Sequence, residues 1–356
     1  MSRAVTIREV ATAAGVSTAT VSRVLSGRDT VNPELAGRVQ AAAQRLGYRT
    51  NRVARALRRQ STQTIGLVVP DITNPFFPAV VQAVERALRE AGLSLLLCDA
   101  GNDVAAEAEL VRNLFDHQID GLLISVCDRI ASRQAVRLAA SRLPLIQIDR
   151  RALGGMPFVG VDQAGAMRHI VDHLRQQGCR RYAYVTPHPV ISTAKERLDE
   201  FGRLVRPLDP TVDERVYMGD FSLGWGHEAA SRIAGRQPLP DAIVCANDLN
   251  AVGVIRALRD HGIDVPGDVA VTGFDDTVLA VASQPQLTTV RQPLKDLGRE
   301  AVAVLCAAIA DPALPPRSAV LGAELVVRES SRRPSTGPAR RRSHTAAPAE
   351  QQRRTA

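Results

Sequence analysis

Short apolar segments and amphipathic helical segments alternate along most of this 356-residue chain. The first series has helices at 77–91, 104–117 and 130–141 between strands at 64–70, 93–98, 121–125 and 144–148. A second series begins near Phe158, with helices at 163–177, 195–205, 224–234 and 248–261 and strands at 182–186, 212–217, 241–245 and 268–274. Strands that are apolar throughout indicate parallel sheets covered by helices on both faces. The pattern therefore predicts an α/β core of two doubly wound parallel-sheet lobes, with a ligand cleft between them.

The N-terminal residues predict a small helical unit ahead of this core. Thr6 and Glu9 have the spacing of a capping box, and Gly15 permits a sharp turn. Ser17 can then cap a second helix. Two short helices joined by a glycine turn are typical of a helix-turn-helix that enters the DNA major groove, although any small helical hairpin shares this pattern. Asn32, followed by a proline, begins the third helix that such a headpiece needs to close its core.

Charge is distributed unevenly along the chain. Residues 1–60 contain 11 arginines and three acidic residues, and residues 332–356 contain seven arginines and one acidic residue. Because the whole chain carries a net charge of +8, the middle segment is acidic, with a net charge of −6. A basic head on an acidic body indicates a localised contact with a polyanion. The alternative for each basic stretch is an ordinary solvated surface.

The five cysteines are widely spaced, and none forms a Cys-x-x-Cys pair. This usage is typical of structural thiols in a reducing compartment. The sequence has no apolar run of membrane length and no signal peptide, so we expect a cytoplasmic protein without a membrane partner. We find no motif for a cofactor or a metal. The Walker, Gly-x-Gly-x-x-Gly, Gly-x-Ser-x-Gly and His-Glu-x-x-His motifs of common enzyme classes are also absent, so we expect no catalytic activity.

Eight segments, in this order along the chain, resemble motifs of the LacI/GalR (lactose-repressor) family of bacterial transcription regulators. They are Thr6–Leu25, the connector from Gly47 through Asn51 to Leu57, Asp71–Phe77, Ile148–Arg150, Arg197–Phe201, Ala246–Asp248, Val271–Asp276 and Leu287–Pro293. The resemblance implies three parts, namely a helix-turn-helix headpiece at 1–49, a hinge at 50–61 and a two-lobed effector-binding and dimerisation domain at 62–331. Residues 332–356 are rich in Pro, Ser, Thr, Ala and Arg and lack large apolar side chains, which predicts a disordered basic tail.

The chain departs from the family pattern at three places. Thr50 replaces the proline that usually precedes the hinge asparagine, and Glu200 replaces a usual glycine. The stretch 202–217 is shortened, which leaves the elements there less well defined by the pattern.

The family resemblance also implies a set of DNA contacts. Thr18, Ala19 and Arg23 would face base edges, because arginine pairs with guanine and small side chains contact thymine methyl groups. The other positions implied to contact or position DNA are Thr6, Ser17, Thr20, Ser22, Asn32, Asn51 and Ala54. Leu57 would insert between bases in the minor groove and kink the duplex, and the alternative is that it packs on its own lobe. The expected partner is a palindromic operator with a central CG step, bound by a homodimer.

Ten positions near predicted strand ends are implied to bind the effector, because they match those that hold the sugar in the similar periplasmic ribose-binding proteins. They are Asn74, Phe76, Phe77, Asp149, Arg150, Arg197, Phe221, Asn247, Asp275 and Gln292. Carboxylates accept hydroxyl hydrogens, Arg and Asn donate to hydroxyl oxygens, and aromatic faces cover C–H surface. We expect a small sugar, a pentose with ribose first; a hexose or a nucleoside or purine is the alternative. Taken singly, Asn74 also fits a turn, Asp149 and Asp275 fit caps, and the aromatic residues fit a core.

The function implied is that of a transcriptional repressor of carbohydrate-related genes. The sugar would close the lobes, change the spacing of the two headpieces and thereby alter DNA affinity. A transport binding protein would share the lobes, but it would need a signal peptide and would not need a basic headpiece. An enzyme on the same fold is the other alternative, since a fold alone does not establish function.

Overall fold

A computed structural model of the protein describes residues 5–25, 31–48 and 61–332. The predictions for Asn51, Ala54, Leu57 and the basic tail beyond residue 332 lie outside the described residues.

Three helices form the headpiece: α1 (Ile7–Ala14), α2 (Thr18–Leu25) and α3 (Pro33–Arg45). Their apolar faces meet in a small core around Val10, Val21 and Val39, which are fully buried. The residues at each helix start explain where the helices begin. The Thr6 side chain and the Glu9 side chain form both bonds of a capping box, as the spacing predicts.

The turn between the first two helices depends on glycine. Gly15 has φ +64° and its N–H donates to the last carbonyls of α1, a conformation that costs L-residues with side chains free energy. Ser17 Oγ accepts from Thr20 N at 3.1 Å and opens α2. Asn32 Oδ1 accepts from Glu34 N at 2.8 Å and opens α3. The predicted helix-turn-helix and third helix are confirmed.

After the headpiece, the chain forms a two-lobed α/β core. Its elements are β1 (Thr64–Val69), α4 (Phe76–Glu90), β2 (Ser94–Asp99), α5 (Val104–Asp116), β3 (Gly121–Ile124), α6 (Arg133–Ala140), β4 (Leu145–Ile148), β5 (Phe158–Val161), α7 (Gln163–Gln176), β6 (Tyr182–Pro187), α8 (Ser192–Val205), β7 (Val216–Gly219), α9 (Leu223–Ala234), β8 (Ala242–Cys245), α10 (Asp248–Asp260), β9 (Ala270–Thr272), α11 (Val278–Ala282), β10 (Thr289–Arg291), α12 (Leu294–Ala310), β11 (Ser318–Leu321) and β12 (Glu324–Val326).

The first lobe is built on a six-stranded parallel sheet in the order β11-β5-β4-β3-β1-β2. Helices α4 and α12 pack on one face with the apolar side chains of β1 and β5, and α5 and α6 cover the other face. The second lobe has a four-stranded parallel sheet in the order β7-β6-β8-β9. Helices α9 and α10 cover one face of that sheet, and α7 and α8 cover the other. The expectation of two doubly wound lobes is confirmed.

The chain passes between the lobes three times. It crosses at residue 162 between β5 and α7, at residues 292–293 between β10 and α12, and at residues 322–323 between β11 and β12. Strands β10 and β12 pair antiparallel with each other, and isolated bridges join residues 272 and 288 and residues 275 and 291. The second and third crossings therefore lie beside the end of β9.

Several predicted boundaries are wrong. The helix predicted near 195–205 begins at Ser192, and the strand predicted at 268–274 spans only Ala270–Thr272. The strand at 158–161 belongs to the first lobe, where it lies between β4 and the late strand β11, rather than opening the second series. The strand predicted at 212–217 is a 3-10 turn at Val212–Arg215 followed by β7. The helix predicted from residue 130 begins at Arg133, because residues 128–132 form a turn in which Asp128 Oδ1 accepts from two backbone N–H groups.

Among the described residues, no helix has both the length and the apolar character needed to span a membrane. No disulfide joins the five cysteines, all of which lie in the described range 61–332.

Candidate functional site

The carboxyl ends of the strands in both lobes supply most of the predicted effector residues. Asn74 follows β1, Asp149 and Arg150 follow β4, Asn247 follows β8 and Asp275 follows β9. Nine of the ten predicted side chains are buried, and Phe221 is half-buried. Polar residues at the carboxyl ends of parallel strands are in the position where α/β folds bind ligands.

Arg150 joins the two lobes at this place. Its guanidinium lies 5.1 Å from the ring centroid of Phe77 in the first lobe and 5.4 Å from that of Phe221 in the second. A cation within about 6 Å of an aromatic face is attracted by the ring. The structure thus brings an arginine and two aromatic rings together, although they are far apart in sequence.

The hydrogen-bonding capacity of Arg150 is largely unused. Within the described residues, its Nε and Nη1 are buried without a hydrogen-bond partner; the nearest carboxylate oxygen, on Asp149, is 3.9 Å from Nε. Burial lowers the pKa of Arg150, and the carboxylate of Asp149 opposes that shift. Buried donors without partners are unfavourable in a folded protein. A ligand with oxygen acceptors would satisfy them.

Asp149 supplies an acceptor beside these donors. Its backbone has φ +62°, and its N–H donates to the Val159 carbonyl at 2.9 Å, which anchors the residue to β5. Burial raises the pKa of Asp149, and the charges of Arg150 and Arg197 act against that rise. The carboxylate is therefore held near two cations in a dry environment, where a hydrogen bond from a ligand hydroxyl is strong.

Asp275 and Gln292 form the matching polar pair on the second lobe. Gln292 Nε2 donates to Asp275 Oδ1 at 2.7 Å, while Gln292 Oε1 is buried with no partner among the described residues. Burial raises the pKa of Asp275 well above its ordinary value, and Arg197 partly offsets that effect. Because Gln292 lies on the second crossing between the lobes, this pair links the cleft to that crossing.

Arg197 is held by two residues that the sequence analysis missed as site residues. Its Nε donates to Gln163 Oε1 at 2.7 Å, and its guanidinium lies 3.5 Å from the centroid of the Phe274 ring. Its Nη1 donates to the carbonyl of Ala246. Phe274 lies in the segment Val271–Asp276, just after β9, and Gln163 lies just after β5. Their position after a strand could therefore have indicated that both residues lie near the cleft.

Two of the predicted residues have clear structural tasks. Asn74 Oδ1 accepts from Phe76 N at 3.1 Å. This bond forms a local turn, which is the alternative role given above for Asn74. Asn247 Oδ1 caps α10 by accepting from Asn250 N at 2.8 Å. Its Nδ2 donates to the Phe221 carbonyl at 3.5 Å. Their side-chain oxygens are thus occupied within the protein.

The headpiece presents the residues predicted to read DNA on α2. Thr18, Ala19 and Arg23 are exposed on this helix. Ser17 Oγ lies 2.9 Å from Thr20 Oγ1 at the helix start, and Ser22 is half-buried. Thr6 and Asn32 are exposed, and they cap α1 and α3 respectively. An exposed face of short side chains with one arginine can lie in a major groove.

No group of three or more His, Cys, Asp or Glu side chains in the described ranges is arranged to hold a metal ion. What the cleft does present is two carboxylates, unsatisfied amide and guanidinium groups, and aromatic faces. This combination suits a small ligand that carries several hydroxyl groups.

Comparison with known proteins gives the same two parts. Residues 6–51 match the family model described as bacterial regulatory proteins of the lacI family, and residues 171–331 match a periplasmic binding protein-like domain. The transcriptional repressor PurR of Photobacterium profundum is 33% identical over 331 residues, which cover 91% of this chain and 98% of that protein. The ribose operon repressor of Halalkalibacterium halodurans is 30% identical over 327 residues, which cover 92% of this chain and 97% of that protein.

A solved structure is similar over most of the chain. The lac repressor dimer bound to operator and the anti-inducer ONPF matches with a TM-score of 0.83 at 26% identity, covering 92% of this chain and 99% of that one. Headpiece, lobes and relatives all agree, so the chain belongs to the LacI/GalR family of DNA-binding transcriptional regulators.

Proposed function

We propose that this regulator is a homodimeric repressor of carbohydrate-related genes whose operator affinity is controlled by a small sugar, a pentose with ribose first. The observation that carries the proposal is the set of unsatisfied buried groups in the cleft. Arg150 and Gln292 hold buried polar atoms without partners among the described residues, and the Arg150 guanidinium lies near the rings of Phe77 and Phe221. A pyranose or furanose would satisfy the donors with its oxygens and cover the rings with its C–H surface.

The ribose operon repressor of Halalkalibacterium halodurans, which is similar over 92% of this chain, supports the choice of ribose. The charge of the cleft supports a neutral ligand. The cleft already buries the ionisable side chains Arg150, Arg197, Asp149 and Asp275, and a charged effector would add the cost of burying a further charge.

Calorimetry with the purified full chain tests the effector. The panel contains ribose, xylose, glucose, galactose, adenine and hypoxanthine. We expect ribose to bind, and we expect Asp275→Asn to weaken ribose binding by about tenfold or more, because hydrogen bonds to charged groups contribute about 1.5–3 kcal/mol. The matched control is Asp209→Asn, a buried aspartate of the same lobe whose side chain accepts hydrogen bonds from Arg215, Thr211 and the Tyr182 N–H. Binding of a purine with no sugar bound would overturn the sugar proposal.

Operator binding tests the headpiece residues. Arg23→Ala should cost about 1–3 kcal/mol and relax specificity at one base position per half-site, since arginine reads guanine by a bidentate contact. Arg45→Ala removes the same charge from an exposed site at the end of α3, and should leave base preference unchanged. Equal base preference in both variants would contradict the role of Arg23.

The hinge is tested on a palindromic duplex with a central CG step. We expect Leu57→Ala to weaken binding and reduce DNA bending, because an inserted apolar side chain kinks the duplex. Sedimentation on the same samples measures whether two chains bind each duplex. Unchanged affinity and bending would show that Leu57 does not insert between bases.

A further inference from the structure

The segment that carries Asp275 has an unusual backbone. Asp275 and Asp276 have φ +110° and +51°, so two consecutive residues with side chains lie in the left-handed region. Such conformations cost free energy and persist only where the surrounding structure holds them. This turn aims the Asp275 side chain at Gln292 in the cleft. It follows that some other group must hold the turn.

The carboxylate of Asp276 is the centre of that restraint. Arg291 Nε donates to Asp276 Oδ2 at 2.6 Å, and Arg328 Nη2 donates to Asp276 Oδ1 at 2.6 Å. The side chain of Asp276 is 8% exposed and that of Arg328 is 12% exposed, whereas that of Arg291 is 52% exposed. Each oxygen of one buried carboxylate therefore takes a charged hydrogen bond from a different segment, and such bonds are the strong ones.

The two arginines tie the turn to the rest of the second lobe. Asp275 N donates to the Val290 carbonyl at 2.9 Å, in a bridge that places Asp275 opposite Arg291. Arg328 Nη1 also donates to the Leu287 carbonyl at 2.9 Å, and the Arg328 backbone N–H donates to Thr288 Oγ1 at 2.8 Å. The C-terminal segment thus braces the turn from outside.

Arg291, the last residue of β10, and Gln292, the first residue of the second crossing, face opposite sides of this turn. Arg291 binds Asp276 on the outer side, and Gln292 binds Asp275 on the cleft side. Side chains alternate in direction along an extended strand. Because Arg291 and Gln292 are adjacent, a loosened Arg291–Asp276 pair should also disturb the Gln292–Asp275 hydrogen bond.

A second carboxylate restrains the far end of the turn. Asp248 Oδ2 accepts from the Thr277 N–H at 2.7 Å and from its hydroxyl at 2.9 Å. Asp248 Oδ1 accepts from the Thr289 hydroxyl at 2.6 Å. With the two ends of the turn anchored, the remaining freedom lies at Asp275 and Asp276.

We propose that Asp276 is a positioning residue for effector binding, and that the Arg291–Asp276–Arg328 clamp holds the left-handed turn that aims Asp275 into the cleft. The clamp itself does not touch the effector. It acts by keeping the Asp275–Gln292 pair in register with the first lobe. The sugar measurement below rests on the proposed function, whereas the exchange measurement does not.

Amide hydrogen exchange in the full chain without ligand is the first measurement. We expect Asp276→Asn to speed exchange in residues 272–277 by about tenfold or more, because it replaces a carboxylate that accepts two charged hydrogen bonds. The control is Asp209→Asn, which breaks another buried Asp–Arg pair of the second lobe, with Arg215. It should lower global stability without speeding exchange in 272–277. Equal exchange in that segment for the two variants would overturn the proposal.

The second measurement is ribose titration of the same proteins. Asp276→Asn should bind ribose about tenfold more weakly than the parent chain, while Asp209→Asn binds as the parent does. Parent-like binding by Asp276→Asn would overturn the positioning role. If the parent chain does not bind ribose, the proposed effector fails and hydrogen exchange alone decides about the clamp.

Arg291→Gln provides a variant at a half-exposed position, in case Asp276→Asn does not fold. It breaks one of the two ion pairs, so faster exchange confined to residues 272–277 is expected. Added salt should change exchange in residues 272–277 of the parent chain only slightly, because the Arg328–Asp276 ion pair is largely shielded from solvent. Exchange in 272–277 that is identical in Arg291→Gln and the parent chain would count against the clamp.

Discussion

At Asp248, burial and hydrogen bonding act in opposite directions. Burial raises the pKa of this carboxyl to about 6, although hydrogen bonds from Thr289 and Thr277 act to lower it. The folded protein therefore holds this proton more tightly than the unfolded chain does between about pH 4 and pH 6. The stabilisation that results is present below that range and is lost as the pH rises through it.

Urea unfolding from pH 4 to pH 7 measures this effect. The free energy of unfolding of the parent chain should fall with rising pH, relative to Asp248→Asn, by on the order of 3 kcal/mol. Asp149 is common to both proteins and cancels in the comparison, whereas the charge of Asp248 also raises the pKa of Asp275, so part of the difference between the two proteins comes through Asp275. A difference between the two proteins that stays constant or grows with pH would show that Asp248 does not titrate in this way.

Single residues were also where the sequence analysis was least complete. Asn74 and Asn247 stay predicted ligand contacts, but the sequence did not show that their side-chain oxygens accept hydrogen bonds from backbone N–H groups. Gln163 and Phe274 were missed, although they hold Arg197. A residue type shows which hydrogen bonds a side chain can form, but only the fold decides which partner reaches it first.

At the scale of elements, the headpiece turn offers a clean pair of variants. Gly15 has φ +64°, and a Cβ there would lie 2.7 Å from Nη2 of Arg38, which donates to the Ala14 carbonyl. Gly37 lies within α3, and a Cβ there would meet nothing within 4 Å. The two substitutions to alanine should therefore have opposite effects on the headpiece.

We expect Gly15→Ala to destabilise the headpiece by about 1–2 kcal/mol, through the left-handed backbone, and to weaken operator binding. Gly37→Ala should stabilise α3 by about 0.5–1 kcal/mol, because glycine is a poor helix former. Amide exchange in residues 7–14 and operator titration at fixed salt measure both. A Gly15→Ala protein with parent-like exchange would show that the turn tolerates a side chain.

The strands and helices were predicted best where local signals agree. Caps and periodicity gave the three headpiece helices, and continuous apolar runs gave the strands of both sheets. The exceptions depend on distant partners. Strand β5 was assigned to the wrong lobe, because its neighbour β11 comes some 160 residues later in the chain. Strand pairing of that kind leaves no trace in a local pattern.

At the scale of the molecule, hydrogen bonds across the mouth of the cleft join the lobes. The Arg129 N–H donates to the Val190 carbonyl at 2.8 Å, and its Nε donates to the Pro189 carbonyl at 2.8 Å. Arg151 Nη2 contacts Glu196 Oε1 at 2.8 Å. In each contact one residue belongs to the first lobe and the other to the second. These contacts join the two lobes in the arrangement that the structure shows.

Arg129→Ala should therefore weaken ribose binding by about fivefold to tenfold, because it removes a charged hydrogen bond that joins the two lobes on either side of the cleft. Arg133→Ala is the control, since Arg133 Nε donates to the Ala152 carbonyl at 3.2 Å within the first lobe. That variant should bind ribose like the parent chain. Small-angle scattering without sugar should show a more open average shape for Arg129→Ala alone. If both variants bind ribose equally, the contact does not favour closure.

The sequence by itself determined the local structure and the family. Capping residues, a glycine turn, apolar strands and eight ordered motifs are all read over a few neighbouring residues, where the physical preferences of the chain are strongest. Only the tertiary structure decided which lobe receives β5, which polar atoms remain unsatisfied in the cleft, and that Asp276 is clamped between Arg291 and Arg328. These features depend on contacts between distant segments, and burial and hydrogen-bond competition at such contacts are set only when the whole chain has folded.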